Sequence, residues 1–160
     1  MPIRTGMLPL GLLAFLVLLG NQPCGPIPGD ALEGAVSGEP VSDWSFSDAY
    51  SRCLVEVRPE DPHSVTTSCF AGEGALYVPA IMGDSKRWTK LAIEDARARI
   101  KIGETVYPVT LERIEDPAER RAVARLGYQK YHGEEAPRDW EPSDDRWYFR
   151  VTSRAPGAPR

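Results

Sequence analysis

The rhythm of apolar and polar positions changes several times along the chain. Residues 53–59, "CLVEVRP", are rich in β-branched and apolar side chains and read as a strand. Pro59 and Pro62 bracket the turn "PEDPH", and residues 64–71, "SVTTSCFA", read as a second strand. "GEG" makes the next turn, and residues 75–81, "ALYVPAI", a third strand. Short loops between them predict an antiparallel meander. The spacing then turns helical: Trp88, Leu91 and Ala92 recur three and four residues apart within "SKRWTKLAIEDA". Residues 97–103 alternate, with Ala98, Ile100 and Ile102 on one face and Arg97, Arg99 and Lys101 on the other, the mark of a half-buried strand. "ETVYPVTLERI" follows Gly103 directly, which predicts a tight hairpin. A helix then runs from Asp116 as N-cap, with Pro117 at its first position and Glu119 at its third, to a closing Gly133. Residues 146–153, "RWYFRVTS", form the last strand, and 42–52 a short opening helix capped by Ser42 or Asp43. Six strands joined mostly by hairpins, with two or three flanking helices, predict a mainly β, α+β barrel rather than a parallel sheet.

The first 24 residues follow another rule. From Met7 to Leu19 the chain is apolar and uncharged behind Arg4, too short for a comfortable membrane span and suited to the core of a secretory signal. Cys24 stands where a bacterial lipoprotein would be cleaved and lipidated, giving a membrane tether. The competing reading is a soluble periplasmic or secreted protein. Residues 25–40 hold several Gly and Pro and predict an extended linker, so the folded domain is placed at 41–153 and the tail 154–160 outside it. Charge supports this class. The 160-residue chain is 42% hydrophobic and 26% charged with a net charge of -4, and it has no basic block of the kind a nucleic-acid footprint needs.

One junction could carry chemistry. In "GDSKRWTKL", Ser85, Lys86 and Arg87 stand between the third strand and the helix. The first turn of a helix offers unpaired N–H groups and a partial positive charge, which suit an anion. The two cations oppose an empty helix dipole there, so the site reads either as a phosphate socket or as a solvated turn with Ser85 as N-cap. With "PEDPH" as loop, Arg58 faces Ser64, Val57 faces Val65, Val55 faces Thr67 and Cys53 faces Cys69. The last pair is a candidate cross-strand disulfide in an exported protein. His63 and His132 have no Cys or carboxylate at ligand spacing, which predicts no metal site. No nucleophile–base pair appears. Tyr77, Trp88, Trp147 and Tyr148 could stack on a planar ring, although aromatic residues in strands usually belong to the core.

Three stretches carry a resemblance: "HSVTTSCFAGEGALYVPA", "SKRWTKLAIEDARARIKIG" and "TVYPVTLERIEDPAERRAV". Over roughly residues 43–153 the chain resembles the split β-barrel superfamily of pyridoxamine-phosphate oxidases and related flavin- or deazaflavin-dependent reductases. The resemblance implies a six-stranded antiparallel split barrel, a homodimer, and flavin mononucleotide (FMN) or a similar phosphate-bearing cofactor in a groove at the dimer interface. Deazaflavin, or no cofactor, is the alternative. Carried over by position, Ser85, Lys86 and Arg87 would hold the phosphate, Thr66 and Ser68 would assist from the second strand, and Trp88 would flank the ring. Glu94-Asp95-Ala96 stands where that family has Asn-Pro, and the second strand carries no basic residue.

Overall fold

The computed structural model describes residues 29–58 and 60–155. The segment read as a secretory signal, Cys24 and the last five residues of the tail lie outside them. The strands are β1 (Ala35–Val36), β2 (Cys53–Val57), β3 (His63–Thr67), β4 (Phe70–Gly72), β5 (Ala75–Ala80), β6 (Arg97–Ile102), β7 (Thr105–Arg113) and β8 (Trp147–Ser153). The helices are α1 (Arg87–Glu94) and α2 (Pro117–His132), with a 3-10 turn at Ser45–Ala49. The sheet order is β3-β2-β6-β7-β8-β5-β4, antiparallel throughout, with β1 added in parallel to β7. β3 and β4 lie at opposite ends of that order, yet only Ser68 and Cys69 separate them in the chain. A sheet whose two ends are joined by two residues has to curl on itself, so the result is a split barrel.

Eight strands therefore replace the expected six. The predicted second strand breaks at Ser68–Cys69, because its halves serve opposite ends of the sheet: β3 pairs with β2 and β4 with β5. The second extra strand is β1, from the expected linker. That segment is strapped to the barrel. Leu32 is buried, and its N–H donates to Glu56 Oε2 at 2.5 Å. Lys101 Nζ donates to the Glu33 carbonyl at 2.9 Å, and the Val41 N–H to Ser153 Oγ at 2.9 Å. Glu56 is 1% exposed and forms a bidentate pair with Arg99, whose Nε lies 2.7 Å from Glu56 Oε1.

The β2–β3 register differs from the expected one by two residues. Val57 pairs with His63, Val55 with Val65, and Cys53 with Thr67. Arg58 is the cause. It leaves the strand in a left-handed conformation (φ 55°), accepts the Asp61 N–H at its carbonyl, and ion-pairs with Asp61 through its side chain. A shift of two preserves the inward face, so the core pattern survives.

Alternation decides the layers. Leu76, Val78 and Ala80 of β5 point into the barrel with Ala98, Ile100 and Ile102 of β6. Tyr77 points outward, where Phe70, Ile114, Tyr148 and the Val123–Ala124 face of α2 form a second cluster. The β6–β7 hairpin turns at Gly103 (φ 59°). α2 begins and ends as predicted: Asp116 accepts the Glu119 N–H, Pro117 opens the first turn, and Gly133 closes it in a left-handed conformation (φ 73°). α1 is shorter than its pattern. It buries Trp88, Leu91 and Ala92, and Thr89 Oγ1 ties it to the Gly83 and Lys86 carbonyls at 2.5 and 2.8 Å.

Candidate functional site

Among the described residues β3 pairs with no strand but β2; on its other edge the Ser64 carbonyl accepts the Gly29 N–H at 3.0 Å, and the edge beyond it toward Thr67 is open. β4 covers β5 only over Ala75–Tyr77, so β5 beyond that point is free on the same side. The two open edges face each other across a gap, bridged where Thr67 Oγ1 donates to the Pro79 carbonyl at 3.3 Å. A groove of about 610 Å³ opens there. Val65, Thr66, Thr67 and Ser68 form one wall, and Pro79, Ala80 and Ile81 the other. Lys86 and Trp88 from α1, Tyr131 from α2 and Arg146 before β8 complete it. Unpaired strand edges supply backbone donors and acceptors, and apolar walls with a few polar groups are the usual make-up of a small-molecule site.

The predicted residues divide at this groove. Thr66, Ser68, Lys86 and Trp88 line it, whereas Ser85 and Arg87 are not among the lining residues. Ser85 donates through Oγ to the Met82 carbonyl at 2.9 Å, and the N-cap of α1 is Lys86, in an extended conformation without a side-chain cap bond. Arg87 stands near His63. Burial, then Arg87 and Arg58, lower the His63 pKa below its usual value. Trp88 is mostly committed to the core, its ring 5.2 Å from that of Phe149. Of the other ring candidates, Trp147 carries the Arg113 guanidinium 3.6 Å from its centroid, and Tyr77 packs on Phe70 at 5.7 Å.

Cys53 and Cys69 are both buried free thiols. The pairing that aligned them is replaced by Cys53 opposite Thr67. The bend at the joint still brings them close enough to perturb each other. Burial raises the Cys53 pKa well above its usual value, while the neighbouring Cys53 lowers that of Cys69. The joint is also tied to the last turn of α2: the Cys69 carbonyl accepts from Lys130 Nζ and from the Tyr131 hydroxyl, each at 3.0 Å.

Arg146 is the residue that sequence reasoning missed. It brings a second cation to the groove, from a position distant in sequence. No carboxylate pairs with it among the described residues, and its buried Nε has no hydrogen-bond partner, although its guanidinium interacts with Tyr148. It lies beside Tyr148, whose pKa burial raises. No local signal marks it, because its place depends on how β8 enters the sheet.

The architecture is a split β-barrel, and solved structures share it. Solved structures similar to this chain include a candidate pyridoxamine 5'-phosphate oxidase from Listeria innocua (TM-score 0.52, 12% identity, covering 68% of this chain and 87% of that one). A conserved hypothetical protein from Mycobacterium tuberculosis is similar at a TM-score of 0.54 and 13% identity, covering 76% and 86%. A candidate 5-nitroimidazole antibiotic resistance protein from Bacteroides thetaiotaomicron is similar at 0.50 and 15%, covering 71% and 81%. These likenesses show the fold. No family model matches the sequence, and no curated protein matches it at a significant level.

Proposed function

We propose that the groove binds a planar, phosphate-bearing redox cofactor of the flavin type, with FMN the first candidate and a deazaflavin the alternative, and that the protein is an oxidoreductase. The observation that carries this reading is the groove itself: two cations, Lys86 and Arg146, border a cavity walled by open strand edges and the uncapped start of α1. Its size suits a ligand of this class. The cofactor would supply the redox chemistry, and the chain would bind and orient it. Lys86 would hold the phosphate, and the hydroxyls of Thr66 and Ser68 would bond its polar groups. Ile81, which lines the groove, and its neighbour Met82 are 57% and 48% exposed, which favours a homodimer in which a second copy covers the site. The leader reading of residues 1–24 adds export to this proposal.

Absorbance and fluorescence titration of the purified chain with FMN, FAD and a deazaflavin tests it. Saturable binding of one of them is expected, and K86A should weaken it about tenfold, the worth of one charged hydrogen bond. No binding to any of the three overturns the reading. A second reading, a cofactor-free binding module of the same fold, is favoured by one fact: Trp88 spends its ring on Phe149 rather than on open space. K86A would then change no measured activity.

A further inference from the structure

We propose that a second cavity, on the outer face of the barrel beneath α2, binds a planar aromatic carboxylate. This inference stands whether or not the first groove holds a flavin. The cavity encloses about 480 Å³ between α2, β4, β8 and the loop 134–146. Phe70, Tyr128, Tyr131, Trp140 and Tyr148 all line it. Tyr128 meets Trp140 edge-on at 5.0 Å and stacks on His132 at 4.1 Å, while Phe70 meets Tyr148 edge-on at 6.5 Å. Rings arranged this way offer faces and edges to another flat ring.

The cleft is preformed. Arg125 donates to the carbonyls of Ala136, Pro137, Arg138 and Trp140 at 3.0–3.1 Å, pinning the loop that carries Trp140. Arg120 holds the Ser143 carbonyl at 3.3 Å, lower on the same loop. Gly127 lets α2 approach its floor, since a Cβ there would come within 2.9 Å of the Phe70 ring. Two charged residues border the cavity, Glu141 and Arg146, besides the titratable His132. Glu141 is committed to Arg121 Nε at 2.7 Å. Arg146 has no carboxylate partner among the described residues; it interacts with Tyr148 and leaves Nε unbonded. A guanidinium without a carboxylate partner matches one carboxylate, whose two oxygens fit its fork; a phosphate dianion would keep a surplus charge in an aromatic cleft. Arg146, Pro79 and Tyr131 also line the first groove, so a ligand here abuts it.

The test uses the full chain without flavin, titrated calorimetrically with 2-naphthoate and with neutral 2-naphthamide, and followed by the indole N–H resonance of Trp140. Saturable naphthoate binding with a shifted Trp140 resonance is expected, with the amide roughly tenfold weaker or more. R146M should erase the preference for the acid, and R146K should retain part of it if R146M fails to fold. K86A, which weakens only flavin binding, should leave naphthoate affinity unchanged, so the two proposals fail separately. Equal affinity for acid and amide, an unmoved Trp140 resonance, no binding at all, or an acid preference that survives R146M overturns the proposal.

Discussion

Glu56 is the one fully buried charged side chain among the described residues. It is buried in β2, paired with Arg99 and bonded to the Leu32 N–H. Breaking a buried pair leaves an uncompensated charge, so E56A should cost about 3 kcal/mol, the lower end of the usual range because Arg99 keeps some water. The midpoint of urea unfolding measures this. His63 gives a pH signature. Its folded pKa lies below the unfolded value of 6.5, so the unfolded chain takes the proton first. Stability from this source is flat above pH 6.5 and falls as pH drops from there through the folded pKa. H63Q should flatten the curve of unfolding midpoint against pH in that window. Residue chemistry was the least legible scale. Lys86, Thr66 and Ser68 could be chosen because strand and turn patterns put them near a junction, but Arg146 enters by tertiary placement alone. Ser85 and Arg87 fit the same local pattern as Lys86 and lie off the groove, because the extended Lys86 backbone sets which side chain turns inward.

Elements were more legible, since periodicity is local. The alternation of 97–102 and the caps of α2 are written in adjacent residues and appear as read. The second strand failed at Ser68 because nothing in "SVTTSCFA" says that its halves belong to opposite ends of a sheet. The hairpin register moved by two because a left-handed Arg58 is not visible in composition. Within the loop 134–146, the carbonyls of Ala136, Pro137, Arg138 and Trp140 are held by one side chain of α2, Arg125. R125L should lose the charged hydrogen bonds to four carbonyls, costing about 1.5–3 kcal/mol. Amide hydrogen exchange should accelerate across residues 136–141 while β6 and β7 stay protected. Unchanged protection of the loop would mean that Trp140 packing, not Arg125, holds it.

For the whole molecule, the strap of residues 29–41 belongs to the barrel's stability. A chain starting at residue 41 loses the burial of Leu32, the N–H bond to Glu56 and the β1–β7 pairing. Relative to a chain starting at 29, it should be weaker by about 2–3 kcal/mol. The melting temperature should fall by roughly 5–15 °C, as calorimetry would show. The barrel class was readable from the order of strands and helices, while the strap was not, because Gly and Pro hide one buried leucine. The joint at Ser68–Cys69 also bears on kinetics. β2–β3, β4–β5 and β6–β7 pair neighbours along the chain, whereas β2–β6 and β5–β8 pair distant ones. The first set forms on the microsecond scale; the second must wait for long loops to close. Because two early hairpins share one two-residue hinge, docking either onto its distant partner fixes where the other must go. The last docking then costs little entropy, so folding has one slow, cooperative step, and unfolding must release both ends of the sheet together.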